Sequence, residues 1–449
     1  MSSYHFIGIG GVGMSGLADI LLQKGNTVSG SDVVNSFITR QLNSRGVNIY
    51  YEHKEENIGD CDVVVYNTMI DLSNPELSIA KKNGKVVLHR SELLKLLMND
   101  KKSIIVCGSH GKTTVTALAA YILDFCNIDP SYLIGGFSKS LKSNGKNGKS
   151  CWFVAEGDES DSSFLKTNPH GAIVTNFDFD HLSFWKTKDR LIDGFKKFIS
   201  MIENEDMFFY YGDDPILSNW NLNGVSFGLS SKSYLRATNI KDENGKSIFD
   251  ITFGGKVYKN FILNMIGEHN VINGLCAFGL AMRLGCNDDE VKKALASFSG
   301  VHRRVEFKGE VGGIAVYDDY AHHPNEVKEI VNTFNKIAGS RRLVIIFQPH
   351  RYSRTYDMQD EFVDVLSKID NLFLTDIYGA FEENIHNISI DILLNKIPKA
   401  KYLHINNFAI ILKDYIKQND IIVTVGAGDV TKIGNELLSL LRNSQSIDF

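Results

Sequence analysis

Short apolar runs separated by glycine turns and by helically spaced stretches dominate the first hundred positions. They are YHFIGIGG from Tyr4, GMSGLADILLQKG from Gly13, NTVSGSD from Asn26, CDVVVYNT from Cys61 and KVVLHR from Lys85. Strand, turn, helix, strand in that alternation predicts a parallel sheet with covering helices. A polar break at Asn99-Asp100-Lys101-Lys102 precedes a second unit. Its expected elements are a strand at Ser103–Cys107, a glycine turn, a helix from Thr113 to Phe125, strands at Trp152–Ala155 and Gly171–Thr175, and a helix near Asp189–Met201. A hairpin-rich stretch from 224 to 262 and a small-residue helix at Gly267–Leu284 close it. The lysine- and serine-rich segment Lys139–Ser150 reads as a mobile loop. Around Phe298–Arg304 the pattern restarts, with strands at Ile314–Tyr317, Arg342–Phe347, Asn371–Thr375 and Asp420–Val425 between amphipathic helices. The expectation is an α/β chain of three domains, 1–99, 100–301 and 302–449.

Length agrees with that count, because 449 residues exceed one ordinary core. Apolar residues at 43% and charged residues at 22% are the balance of a compact globular protein. No apolar run approaches the roughly 20 residues needed to cross a bilayer, and the beginning lacks a basic region followed by an apolar run. The reading is a cytoplasmic protein with no membrane partner. Six scattered cysteines without a C-x-x-C pair suggest neither a zinc site nor a disulfide framework. A net charge of -5 with interspersed signs gives no footprint for nucleic acid.

Gly8, Gly10 and Gly13, with Gly11 between them, form G-x-G-x-x-G after a strand, and Asp32 closes the next strand as a ribose-binding acid would. The pattern points to a diphosphate more firmly than to a nicotinamide, since a UDP-sugar also offers pyrophosphate and ribose. A bare strand-to-helix turn is the plain alternative. The second turn, Gly108-Ser109-His110-Gly111-Lys112-Thr113-Thr114, resembles a P-loop, in which amides wrap phosphates, lysine neutralises them and a hydroxyl ligates Mg²⁺. Val106 stands where the general pattern has its first glycine, and Gly108 compensates. ATP is therefore the expected ligand of the second domain.

Carboxylates follow the next strands: Glu156, Asp158, Glu159 and Asp161, then Asp178 and Asp180 with His181. Acids at the carboxyl ends of parallel strands beside a P-loop are where a metal for phosphoryl transfer must sit, and Glu156 is the first candidate. The other acids read equally well as a solvated loop, and His181 as a histidine satisfied by backbone. Asn270 and Asn273 lie at a helix start, where asparagine ordinarily caps. DDYAHHP from Asp318 and QPHRYSRT from Gln348 cluster Asp, His and Arg at strand ends, and Arg351 with Arg354 can clamp a carboxylate.

Together these segments resemble the Mur ligase family. GIGGVGMSG from Gly8, GSHGKTT from Gly108, AEGDESDSSF from Ala155, TNFDFDHL from Thr175, FSGVHRRVE from Phe298, DDYAHHP, FQPHRYSRT and GAGD from Gly426 run almost end to end in the family's order. Ser109 in place of the commoner threonine and Val305 in place of an aromatic are departures. The resemblance implies an N-terminal Rossmann-like domain for a UDP-sugar, a central P-loop ATPase with a mixed sheet, and a C-terminal Rossmann-like domain that brings an amino acid. It implies ATP-dependent ligation of L-alanine to the lactyl carboxylate of UDP-N-acetylmuramate through an acyl phosphate, with Mg²⁺, or Mn²⁺ in its place. Lys112 and the surrounding amides would hold phosphates. Thr113 and Glu156 would bind one cation, and His181 would help bind a second. Asn270 and Asn273 would lie around adenine, and Arg304 and Asp319 would contact ATP, which requires closure of the third domain. Tyr320, His322, Arg351 and Arg354 would form the amino-acid pocket, His322 being also catalytic. A monomer or weak homodimer is expected. A tripeptide-adding recycling ligase, an NAD(P)-dependent oxidoreductase and a nucleotide-switched binding module are the alternatives.

Overall fold

The computed structural model describes residues 2–243, 245–380 and 382–445. The chain divides into two compact units, Met1–Val301 and His302–Phe449.

The first unit holds two sheets. One has five parallel strands in the spatial order Asn48–Tyr50, Thr27–Ser31, Ser3–Ile7, Val63–Tyr66, Val86–His89. Ser3–Ile7 sits between strands that follow it on both sides, so the order reverses there, and the crevice at such a point is where open α/β sheets bind ligands. The glycine turn leads from that strand into helix Val12–Gln23.

The other sheet has ten strands, with Lys102–Cys107 between Gly171–Val174 and Trp152–Glu156. Its centre is parallel, and it ends in an antiparallel meander, Leu235–Glu243, Lys246–Phe253 and Lys256–Leu263. The sequence anticipates both features, and the sheet is mixed as expected. The central strand KSIIVC is apolar over its last four residues and buried from Ser103 onward, as in a sheet covered on both faces. Helix Lys112–Phe125 is buried around most of its girth, its run of Ala117, Ala119 and Ala120 allowing neighbours to approach closely. Helix Lys188–Ser200 buries a single stripe of Leu191, Gly194, Phe195 and Phe198, the spacing of one helical face, and Thr187 caps it by accepting the Arg190 amide at 3.3 Å.

Segment 139–150 is a correction to the sequence reading. Ser143–Lys146 forms a strand paired antiparallel with Ser131–Ser138 and packed against helix Val12–Gln23. Asn144 Nδ2 donates to Val12 O at 2.6 Å and to Ser15 Oγ at 2.9 Å, while Lys146 pairs with Asp124 and Asp129. A Cβ on Gly145 would lie 2.3 Å from Gly16 O, so the glycines that look like loop composition allow helix and strand backbones to touch.

The second unit carries a six-stranded sheet in the order Glu306–Val311, Ile314–Asp319, Ile421–Val425, Leu343–Phe347, Leu372–Leu374, Lys401–Tyr402, parallel apart from its first pair. Helix Pro324–Ala338 begins with proline at its first position, and the Glu326 carboxylate accepts the His322 amide at 3.0 Å and the His323 amide at 3.2 Å. It buries Val327, Ile330, Val331 and Phe334. No helix among the described residues is long and apolar enough to cross a membrane.

Candidate active site

The two glycine turns of the first unit are built differently. In the first, Gly8 and Ile9 donate their amides to Ser31 O at 2.8 and 3.0 Å, Gly11 donates to Gly8 O, and Gly10 donates to Asp32 Oδ2 at 2.8 Å. Asp32 Oδ1 accepts the Val34 amide at 2.9 Å. The amides of these glycines therefore shape the turn itself, and Asp32 braces it. What faces outward at the helix start is the first helical turn after Gly11, whose amides have no intrahelical partners. A Cβ on Gly13 would meet the Arg90 guanidinium at 3.7 Å.

The second turn wraps its own lysine. Lys112 Nζ donates to Gly108 O at 2.5 Å, Ser109 O at 3.1 Å and Glu159 Oε1 at 2.8 Å. Gly108 has φ +128, and a Cβ there would lie 2.3 Å from Thr175 Oγ1; Gly111 has φ +82 with Asn273 Oδ1 packed at 2.8 Å from its Cβ position. Only glycine suits either position. The segment after strand Gly171–Val174 pins the loop from the other side. Asn176 Oδ1 accepts the His110 amide at 2.8 Å, Thr175 Oγ1 donates to His110 O at 2.6 Å, and Ser109 Oγ accepts the Asp178 amide at 2.7 Å. Thr114 is buried in the helix that follows. Asn270 Nδ2 donates to Ile266 O at 2.8 Å, and Asn273 Nδ2 lies 3.5 Å from Asn270 Oδ1.

Glu156 ends its strand with Oε2 accepting the Thr113 hydroxyl at 2.9 Å and the Gly135 amide at 3.0 Å. Two ligands on one octahedral Mg²⁺ shell, each about 2.1 Å from the ion, lie about 3 Å apart, so this oxygen pair fits a shared cation. His181 adopts φ +57, an uncommon conformation for a non-glycine residue. Its Nε2 lies 3.4 Å from Asp180 Oδ2 and 3.6 Å from Glu159 Oε1. Burial pushes the Glu159 carboxyl up to about 7 against the opposing pull of Lys112, and Glu159 and its neighbouring acids hold the Lys112 ammonium well above its ordinary range. The fold thus gathers Gly108–Thr114, Glu156, His181 and Asn273 at the carboxyl end of Lys102–Cys107. Two residues outside the sequence-based assignment join them. Glu159 holds the lysine, and Arg90 Nη2 binds Asp158 at 2.8 Å and Asp161 at 3.0 Å, tying the acidic loop to the first glycine turn.

In the second unit, Arg303 is spent on the chain itself, reaching Gly426 O at 2.5 Å, Gly428 O at 3.1 Å and Asp318 at 3.3 Å. Arg303 and Arg304 both lie over the Tyr320 ring, at 4.8 and 5.3 Å. Asp319 accepts the amides of Val305 at 2.6 Å and Ala321 at 2.8 Å, and burial, opposed by Arg304, pushes its carboxyl up to about 6. Val305 has φ +46 and packs, partly buried, against the core of this unit. The Tyr320 ring meets His322 at 5.4 Å, and His322 meets His350 at 5.6 Å. Arg354 Nη1 donates to His350 O at 3.4 Å, and Arg351 lies 3.6 Å from Glu382. Burial first, then His322 and the two arginines, pushes the His350 imidazole down to about 3, which keeps it neutral. Tyr320, His322 and His350 thus form a chain of ring contacts, with Arg354 on the His350 carbonyl and Arg351 beside Glu382; neither His350 nor Glu382 was assigned a role by sequence reasoning.

Residues 3–102 match the Mur ligase family, catalytic domain, residues 106–281 the Mur ligase middle domain, and residues 303–428 the Mur ligase, glutamate ligase domain. The chain belongs to the Mur ligase family. Within that family it is 42% identical to the UDP-N-acetylmuramate--L-alanine ligase of Protochlamydia amoebophila, over 98% of this chain and 99% of that protein. It is 39% identical to the protein of the same name from Aquifex aeolicus, over 98% and 97%. Among solved structures, UDP-N-acetylmuramate-alanine ligase from Thermotoga maritima superposes with a TM-score of 0.85 at 27% identity, covering 99% of this Mur ligase and 100% of that chain. A murein peptide ligase from Psychrobacter arcticus superposes with a TM-score of 0.75 at 26% identity, covering 98% and 99%.

Proposed function

We propose that this Mur ligase joins L-alanine to the lactyl carboxylate of UDP-N-acetylmuramate at the expense of ATP, releasing ADP and phosphate in peptidoglycan synthesis. The observation that carries the reading is a P-loop lysine beside a Thr113–Glu156 oxygen pair, in a chain whose full-length relatives bear that activity in their names. A carboxylate does not react with an amine until its oxygen becomes a good leaving group, and phosphorylation supplies one.

A lactyl carboxylate oxygen attacks the γ-phosphorus, the bond to ADP breaks, and an acyl phosphate forms. The amine nitrogen of L-alanine then attacks the acyl carbon and phosphate departs. Lys112 and the amides of Gly108–Thr114 hold the β- and γ-phosphates, and Asn270 and Asn273 lie towards adenine. Thr113 and Glu156 would hold Mg²⁺, with His181 beside them, and a cation there would neutralise the charge of converging anions. Val12 and Gly13, at the helix start, take the pyrophosphate of the UDP-sugar on a turn shaped by Gly8, Gly10, Gly11 and Asp32. Arg304 and Asp319 serve ATP, while Arg351 or Arg354 holds the alanine carboxylate and Tyr320 limits side-chain size. His322 Nδ1 lies 3.0 Å from Tyr320 O, and a carbonyl only accepts, so the neutral ring carries its proton on Nδ1 and its lone pair on Nε2. We assign His322 to take up the proton lost by the attacking amine.

The domain division 1–99, 100–301 and 302–449 is supported by three separate sheets and the break between Val301 and His302. A cytoplasmic monomer or weak dimer is the corresponding physical state, tested by sedimentation. Phosphate release with L-alanine, or with the tripeptide that a murein peptide ligase would use, tests the assignment: release dependent on UDP-N-acetylmuramate and alanine supports it, and release with the tripeptide alone overturns it.

A further inference from the structure

Lys112 has three ammonium protons, and the structure accounts for all of them: Gly108 O, Ser109 O and Glu159 Oε1 each accept one. The lysine must give up at least one of these partners to reach a phosphate oxygen. The carbonyls can turn to other donors, but Glu159 cannot turn to water, because only 2% of it is exposed. Its second oxygen, Oε2, is buried with no hydrogen-bond partner at all. A buried carboxylate half satisfied by one lysine becomes a costly group once that lysine leaves, unless another cation replaces it. His181 Nε2 stands 3.6 Å from the oxygen that Lys112 occupies. A carboxylate, an imidazole, a phosphate oxygen and water make a ligand set for Mg²⁺ or Mn²⁺.

Resting on the ATP-dependent reading above, we infer that Glu159 is a ligand of a second divalent cation, shared with His181, and that it releases Lys112 to the nucleotide phosphates as that cation is taken up. Glu159 then has two states. In the nucleotide-free protein it holds the lysine over the P-loop carbonyls. With nucleotide and cation present it binds the cation through the same carboxylate, and its unpartnered oxygen gains a partner. Divalent ion and nucleotide therefore bind cooperatively at this end of the sheet, while Thr113 and Glu156 hold the first cation independently of Glu159.

Mn²⁺ binding, followed by loss of the free-ion EPR signal, tests this without turnover. With the β,γ-imido analogue of ATP, the wild-type protein should take up two Mn²⁺ per chain. Glu159→Gln should retain the first and weaken the second by at least about tenfold. Lys112→Met gives the opposite readout: without nucleotide, its Glu159 has no competing ammonium, and one Mn²⁺ should bind at least about tenfold more tightly than to the wild type. If Glu159→Gln loses cooperative unfolding, the comparison of Lys112→Met with wild type decides alone. Two unchanged sites in a folded Glu159→Gln, or no Mn²⁺ gain in Lys112→Met, would overturn the inference and leave the ligase reading intact. Absence of nucleotide-dependent Mn²⁺ binding by the wild type would overturn both.

Discussion

The turns at Gly8–Gly13 and Gly108–Lys112 share a strand–turn–helix plan, yet they solve opposite problems. The first carries no cation of its own, and its glycine amides close on Ser31 and Asp32. It offers shape and a helix N-terminus. The second encloses a lysine that is already paired with an acid, and its loop is pinned by Thr175, Asn176 and Asp178. It offers a positive charge held by an acid. In the proposed reaction the difference suits a first turn that would bind a pyrophosphate left unchanged and a second that would follow a phosphate whose charge moves. Arg90, bonded to Asp158 and Asp161 beside Gly13, connects the two.

The strongest break in this comparison is Lys112→Met, which removes the charge from the second turn. Phosphate release should fall by about 10³-fold or more, because a preorganised donor at a site of developing charge is lost. Gly108→Ala comes next. At φ +128, with a Cβ 2.3 Å from Thr175 Oγ1, the loop must shift. The combined strain and clash of about 3 kcal/mol should weaken ATP binding roughly 100-fold, read by nucleotide titration. Asp32→Ala removes acceptors from the Gly10 and Val34 amides, and a charged hydrogen bond lost at about 1.5 kcal/mol should raise the KM for UDP-N-acetylmuramate about tenfold. The KM for ATP should not change; an equal rise in both would mean that the turns are not separable. Ser109→Thr sharpens the comparison from below: the hydroxyl that accepts the Asp178 amide is retained, so kcat and both KM values should stay within about twofold.

Much of this fold was legible because strand and turn signals are local. The P-loop strand, expected at Ser103–Cys107, spans Lys102–Cys107, and the helix expected from Thr113 begins at Lys112. What escaped depends on partners distant in sequence. Ser143–Lys146 looks like a loop until Gly16, more than a hundred residues earlier, is seen to need Gly145 opposite it. Arg90 reads as the polar end of the strand segment KVVLHR, and its partners lie 68 and 71 residues away. Glu159 stands in an acidic run that reads equally well as a solvated loop, and only burial shows otherwise. In the second unit, nothing in FSGVHRRVE tells one arginine from the other, whereas the structure commits Arg303 to backbone carbonyls and Asp318.

The most direct test of the account is phosphate release from Mg²⁺ and ATP with UDP-N-acetylmuramate, measured with and without L-alanine. The account predicts sustained release only when both substrates are present, with UDP-N-acetylmuramoyl-L-alanine formed in equal amount. Release that ignores alanine, or no release with both substrates present, would contradict it.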